Sequence, residues 1–83
     1  MLSEQATLRL VHKIRQAITG ARRPLHKRDL MILLPTESER NLQGALVMGL
    51  DRGLLVRISA GGNTSFGLPG IEFPQVVRKG LRG

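Results

Sequence analysis

The chain contains no cysteine, no tryptophan and no tyrosine, and only two phenylalanines among its 83 residues. Without cysteine there is no disulfide framework, no thiolate ligand for zinc and no thiol nucleophile, which fits a reducing compartment such as the cytoplasm. Aromatic rings are the platforms on which unpaired bases stack, so their scarcity argues against binding to single-stranded nucleic acid.

Long hydrophobic segments are also missing, because the longest uninterrupted apolar run covers only residues 30–34. A membrane-spanning helix needs about 20 apolar residues. The first residues, Met-Leu-Ser-Glu-Gln, lack the basic start and the long apolar stretch of a signal peptide. We therefore expect no membrane partner and a cytoplasmic location.

Patterns that carry catalysis or metal binding are equally scarce. His12 and His26 have no cysteine or acidic partner at ligand spacing, so a surface position and a cap or loop position explain them. The glycine-rich segment from Gly61-Gly62 to Gly70 is not followed by Gly-Lys-Ser/Thr, so a hairpin turn explains its glycines better than a phosphate-binding loop does. The serines fall at predicted turns, caps or strand ends, without a nucleophile–base–orienter set: Ser3, Ser38, Ser59 and Ser65. We therefore expect that the protein is not an enzyme and that it binds neither a metal ion nor a cofactor.

Positive charge dominates, with 13 Lys and Arg against six Asp and Glu, a net charge of +7. Residues 1–35 carry seven basic and two acidic side chains, residues 36–53 have a net charge of −1, and residues 54–83 have +3. This balance favours a polyanionic partner, nucleic acid above all. The alternative is that the charge serves only solubility.

Apolar residues at helical spacing predict a first helix from Glu4 to about Thr19, capped by Ser3 and closed by Gly20. A second, shorter helix is predicted from about Lys27 to Leu34, because Pro35 stops it. Its second half is apolar on nearly every face, so we expect it to be buried on more than one side.

Thr36 and Glu39 have the spacing of a capping box, which predicts a third helix from Glu37 to about Arg52, closed by Gly53. Its expected buried stripe consists of Leu42, Ala45, Leu46, Gly49 and Leu50. After Gly53 the period of the hydrophobic pattern changes from 3.6 residues to two. This change predicts strands over 54–59 and 64–68, joined by the turn Ala60-Gly61-Gly62-Asn63.

This order of elements resembles the winged helix-turn-helix superfamily, of the kind found in bacterial, plasmid or phage regulators. The residues that carry the resemblance are Pro24-Leu25, Leu30, Pro35-Thr36, Leu42, Leu46 and the run Leu50-Asp51-Arg52-Gly53-Leu54-Leu55-Val56-Arg57. The resemblance covers residues 4 to about 69 and implies an α+β, mainly α, fold of three helices with a C-terminal β-hairpin wing. We expect this domain to span residues 1–70, followed by a basic tail over 71–83.

The resemblance implies duplex DNA as the partner, with the third helix in the major groove and the wing over the neighbouring backbone. The implied base-reading residues are Ser38, Arg40, Asn41, Gln43 and Gly44. The implied phosphate-binding residues are Arg22, Arg23, Lys27 and Arg28 around the start of the second helix, together with Arg57 and Asn63 in the wing. The alternative is that these are ordinary residues of solvated surfaces.

Two features depart from the family pattern. The predicted reading helix is net negative, with Glu37 and Glu39 in its first turn, and His26 stands where the family often has Ser or Thr. Carboxylates suit the positive end of a helix dipole, but near phosphates they lower affinity.

The function expected from the resemblance is transcriptional regulation, repression more than activation, by a sequence-specific DNA-binding homodimer. The predicted dimer surfaces are Val47 and Met48 outside the buried stripe of the third helix, Leu8 at the edge of the buried face of the first, and the apolar residues beyond the wing, Ile71, Phe73, Val76, Val77 and Leu81. The alternative for the residues beyond the wing is that they fold back on their own domain. The alternative function is a winged-helix module that binds a protein as an adaptor or inhibitor and does not read DNA.

Overall fold

The structure, a computed structural model, describes residues 2–71. They form helices α1 (Glu4–Ala21), α2 (Lys27–Leu33) and α3 (Glu39–Asp51), then strands β1 (Val56–Ala60) and β2 (Asn63–Gly67). The predicted α+β fold of three helices followed by a β-hairpin is confirmed. No helix within this part of the chain is long and apolar enough to cross a membrane. Of the predicted tail, only Ile71 lies within the described residues.

Helix α1 begins where the sequence predicts, because the Ser3 hydroxyl accepts a hydrogen bond from the Ala6 amide at 3.1 Å. Its buried residues, Leu10, Val11, Ile14 and Ile18, recur at helical spacing. The prediction that Gly20 closes the helix is wrong. The helix continues because Ala21 packs against the core, and the left-handed residue is Arg22, with φ 58°.

Helix α2 is less buried than its sequence predicts. Only Leu30 is fully buried, whereas Met31, Ile32 and Leu33 are 39%, 68% and 51% exposed. The expectation of burial on several sides is therefore wrong. The helix joins the core through Leu30, with its C-cap Leu34 packed partly against the core, and no other described element covers its outer face.

Helix α3 begins two residues later than predicted. The Ser38 hydroxyl, and not that of Thr36, caps it by accepting from the Asn41 amide at 3.1 Å. The predicted capping box is wrong because the Glu37 amide donates to the Leu34 carbonyl oxygen at 3.1 Å, which keeps this segment in a turn. The predicted buried stripe is confirmed at Leu42, Ala45, Leu46 and Gly49, and Leu50 is partly buried.

The connection from α3 to β1 folds back tightly on Gly49. The amides of Leu54 and Leu55 both donate to the Gly49 carbonyl oxygen, at 2.8 and 3.1 Å. These bonds hold both residues against the helix end, so β1 begins at Val56 and not at Leu54 as predicted. Gly53 lies in this turn with φ 74°, a conformation that glycine adopts without steric cost.

The hairpin is a two-residue turn between antiparallel strands. Gly61 and Gly62 have φ 59° and 85°, so both central residues are left-handed, as tight hairpins require. Ala60 pairs with Asn63 beside the turn, and Val56 pairs with Gly67 at the far end. Strand β2 begins and ends one residue earlier than predicted.

A single-residue bridge joins the hairpin to the helices. Leu25, just before α2, pairs in antiparallel fashion with Phe66 of β2. Both side chains are buried and, with Leu55 and Leu68, belong to the same core as the buried residues of the three helices. The hairpin therefore adds to the helical core along its base.

Candidate nucleic-acid interface

A polar cleft lies between the start of α2 and the hairpin turn. Its volume is about 410 Å³, and it is lined by His26, Lys27, Arg28, Asp29, Gly62, Asn63 and Thr64. We call it the hairpin cleft. It brings together Lys27, Arg28 and Asn63, three of the six residues predicted to bind phosphate from separate parts of the sequence.

His26 fixes the geometry of the hairpin cleft. Its Nδ1 donates to the Thr64 carbonyl oxygen at 2.8 Å, across 38 residues of sequence. Its backbone amide donates to Oδ2 of Asp29 at 3.1 Å, within the first turn of α2. The prediction of a cap position is confirmed, since His26 is the N-cap of α2. Its bond to the hairpin had no signal in the sequence.

A second depression lies beside the first, between α2 and α3. Its volume is about 400 Å³, and it is lined by Lys27, Glu39, Arg40 and Gln43. We call it the helix depression. Lys27 Nζ lies 3.1 Å from Oε2 of Glu39 and donates to Oε1 of Gln43 at 3.1 Å. Because Lys27 lines both concavities, they form one continuous surface.

The predicted base-reading residues lie at the N-terminal half of α3. Arg40, Gln43 and Gly44 are exposed, and Asn41 is half-buried. A Cβ added at Gly44 would meet nothing within 4 Å, so the helix backbone is open to close approach there. The Ser38 hydroxyl is engaged in capping the helix, which gives it a structural role.

The other predicted phosphate-binding residues line neither concavity. Arg22 lies exposed at the end of α1, and Arg57 is exposed on β1 opposite Phe66. Arg23 Nη1 lies 3.6 Å from Oδ2 of Asp29, so its charge is partly compensated. The structure therefore brings three of the six predicted phosphate-binding residues together and leaves Arg22, Arg23 and Arg57 outside both concavities.

Ion pairs compensate the negative start of α3. Glu37 pairs with Lys13 of α1 at 3.4 Å, and Glu39 pairs with Lys27 at 3.1 Å. Neither pair could be predicted from the sequence, because each joins residues from separate segments of the chain. Within the described part of the chain, the predicted contact cations without a carboxylate at salt-bridge distance are Arg22, Arg28, Arg40 and Arg57.

No protein-family model, no curated protein and no solved structure matches this chain. The resemblance to winged helix-turn-helix proteins therefore depends on the residues quoted above and on the order of the elements.

Within residues 2–71, no group of three or more His, Cys, Asp or Glu side chains is placed to hold a metal ion.

One surface feature was not predicted from the sequence, namely the exposure of apolar side chains on α2. Met31, Ile32 and Leu33 of α2 are exposed, whereas the sequence predicts that they are buried.

Proposed function

We propose that this protein is a winged helix-turn-helix regulator of transcription that binds duplex DNA in the cytoplasm, and that it represses more than it activates. The observation that carries the proposal is the position of Lys27. It joins the hairpin cleft, which holds Arg28 and Asn63, to the helix depression, which holds Arg40 and Gln43. Groups suited to phosphate and groups suited to base edges thus share one surface.

In the proposed complex, α3 lies in the major groove. The Arg40 guanidinium forks onto O6 and N7 of a guanine, and the side-chain amide of Asn41 or Gln43 pairs with an adenine. Gly44, with open space where a Cβ would stand, lets the helix backbone approach the groove closely. Arg28 and Asn63 then face the phosphates beside the hairpin, with Arg22, Arg23 and Arg57 at the margins.

The ion pair between Lys27 and Glu39 does not prevent phosphate binding. The side chains of Lys27 and Glu39 are 33% and 62% exposed, and exposed pairs contribute only about 0–1 kcal/mol. A phosphate can therefore replace the carboxylate as the partner of Lys27 at small cost. Until then Glu39 reduces the local positive potential, which lowers affinity for duplex DNA of any sequence.

The experiment that tests the proposal is a titration of duplex DNA at several salt concentrations. If about five phosphates are neutralised, the log–log slope of affinity against salt is expected to be near −4 to −5. Replacing Arg22, Arg23, Lys27 and Arg28 with Ala should weaken binding to all sequences alike. Replacing Arg40 or Asn41 should cost about 1–3 kcal/mol on the preferred site only. A slope near zero would contradict the proposal.

We propose further that two copies bind together, since one reading helix and one hairpin cover a short site and two half-sites discriminate better. Of the predicted dimer residues, Ile71 is exposed, Leu8 is half-buried and Met48 packs partly against the core. Val47 lies on the α3 face used by the proposed DNA contact. Phe73, Val76, Val77 and Leu81 lie outside the described residues.

Sedimentation of the intact chain and of a version that ends at Gly70 tests the dimer. A dimer that becomes a folded monomer on truncation supports residues 71–83 as the interface. An intact chain that stays monomeric at high micromolar concentration contradicts a dimer in the absence of DNA.

The second candidate function is a protein-binding module, and the exposed α2 surface favours it. Three consecutive apolar side chains, Met31, Ile32 and Leu33, face solvent, and such patches mark interaction sites. Failure to bind random duplex DNA at low salt favours this function. The variant Ile32→Ser should keep the fold, because Ile32 is 68% exposed. If the protein is such a module, this variant should no longer bind the partner protein.

A further inference from the structure

Val47 is an apolar side chain on an otherwise polar or open face of α3. It is 55% exposed, although its helix buries four other residues in the core. It follows Arg40, Gln43 and Gly44 at intervals of seven, four and three residues, and side chains at these intervals lie along one helix face. All three of those residues are exposed as well.

The chemistry of the major groove gives such a side chain one specific partner. Each base pair presents hydrogen-bond donors and acceptors there, and thymine alone adds an apolar group, its C5 methyl. Val47 has no polar atom in its side chain, so it cannot read a hydrogen-bonding edge. Gly44, one turn earlier on the same face, leaves open space beside it, so that the groove floor can come close.

Resting on the proposed function, we infer that Val47 is a specificity-determining residue that contacts the C5 methyl group of a thymine in the major groove. The rise of 1.5 Å per residue places Val47 about 10 Å along α3 from Arg40. This distance corresponds to about three base-pair steps of 3.4 Å, for a helix that lies along the groove. The thymine is therefore expected about three base pairs from the guanine that Arg40 reads.

The test removes the methyl group from the DNA and the two γ-methyl groups of Val47 from the protein. A preferred duplex is first selected from a random pool with the intact protein. Each thymine is then replaced singly by deoxyuracil, which lacks only the C5 methyl, and dissociation constants are measured for the intact protein and for Val47→Ala. The variant is expected to fold, because Val47 is exposed and alanine favours helix.

For the intact protein, one thymine per half-site should respond, with affinity falling roughly fourfold, the factor expected for one buried methyl group. For Val47→Ala, the preference for thymine over deoxyuracil should fall well below that of the intact protein, because the variant lacks the two γ-methyl groups that reach the thymine methyl. Arg40→Ala serves as the matched control, since it should weaken binding and keep the preference for thymine.

Two results overturn the inference while leaving the proposed function intact. Either no thymine responds to loss of its methyl group, or Val47→Ala keeps the full preference for thymine. Absence of binding to any selected duplex overturns the proposed function itself, and the inference with it.

Discussion

Leu25 and Phe66 exchange two backbone hydrogen bonds, from the Leu25 amide to the Phe66 carbonyl at 3.0 Å and from the Phe66 amide to the Leu25 carbonyl at 2.8 Å. One residue further along, the His26 ring donates to the Thr64 carbonyl oxygen. The hairpin is therefore fixed to the start of α2 at neighbouring points. This attachment sets the width of the hairpin cleft, where the proposed phosphate contacts lie.

Because of this double attachment, we expect the amides of Leu25 and Phe66 to exchange slowly with solvent. An isolated two-stranded hairpin is marginally stable and would exchange quickly. Hydrogen exchange followed by NMR should show both amides protected close to the free energy of global unfolding. The amide of Gly61, in the exposed turn, serves as the unprotected reference. Fast exchange at Leu25 and Phe66 would show that the hairpin detaches from the helices.

Gly49 and Gly44 of α3 offer a matched pair for measuring a close approach. A Cβ at Gly49 would lie 2.5 Å from Cδ1 and 2.8 Å from Cγ of Leu55, whose side chain is buried. A Cβ at Gly44 would meet nothing within 4 Å. Gly44→Ala should therefore raise the free energy of unfolding by about 0.5–1 kcal/mol, through helix propensity alone.

The same gain in helix propensity applies to Gly49→Ala, so the difference between the two variants isolates the steric cost. Crowding of a packed core costs about 1–3 kcal/mol, and Gly49→Ala should be less stable than Gly44→Ala by that amount. Urea unfolding of both variants measures the difference. Equal stabilities would mean that Leu55 moves aside without loss of packing.

The cap of α3 is tested by two hydroxyl deletions two residues apart. Ser38→Ala removes the oxygen that accepts from the Asn41 amide, which should lower the free energy of unfolding by about 1 kcal/mol. Thr36→Ala should change it by less than about 0.5 kcal/mol, as at an ordinary exposed position. Thermal or urea unfolding separates the two outcomes, and a larger effect at Thr36 would restore the cap predicted from the sequence.

Glu39 and Glu4 test whether acidic charge near the proposed interface weakens DNA binding. Both carboxylates are exposed and paired, Glu39 with Lys27 and Glu4 with Arg52. Glu39→Gln should strengthen binding to all duplexes and steepen the salt slope by up to about one, because Lys27 becomes free to pair with phosphate. The log–log slope of affinity against salt concentration, measured for both variants, tests this expectation.

Glu4→Gln changes the net charge equally but lines neither the hairpin cleft nor the helix depression. It should therefore leave binding near that of the intact protein. If both variants increase affinity by the same factor, only overall charge matters, and Glu39 has no local role.

The local pattern of the sequence determined the elements themselves. Periodic burial in α1 and α3, the stop at Pro35 and the Gly61-Gly62 turn each depend on residues within a few positions of one another, and the structure confirms them. These features follow from helix geometry and from backbone conformations that glycine allows and proline forbids. Element order, and with it the fold class, was therefore predictable from the sequence.

Tertiary structure alone decided what joins these elements. Leu25 pairs with Phe66, and Lys27 pairs with Glu39, through contacts between separate segments of the chain. The same holds for the outer face of α2. An apolar run favours burial, but it does not determine whether another element packs over it. Ile32 is exposed for that reason. Burial depends on the packing of whole elements, which local sequence does not encode.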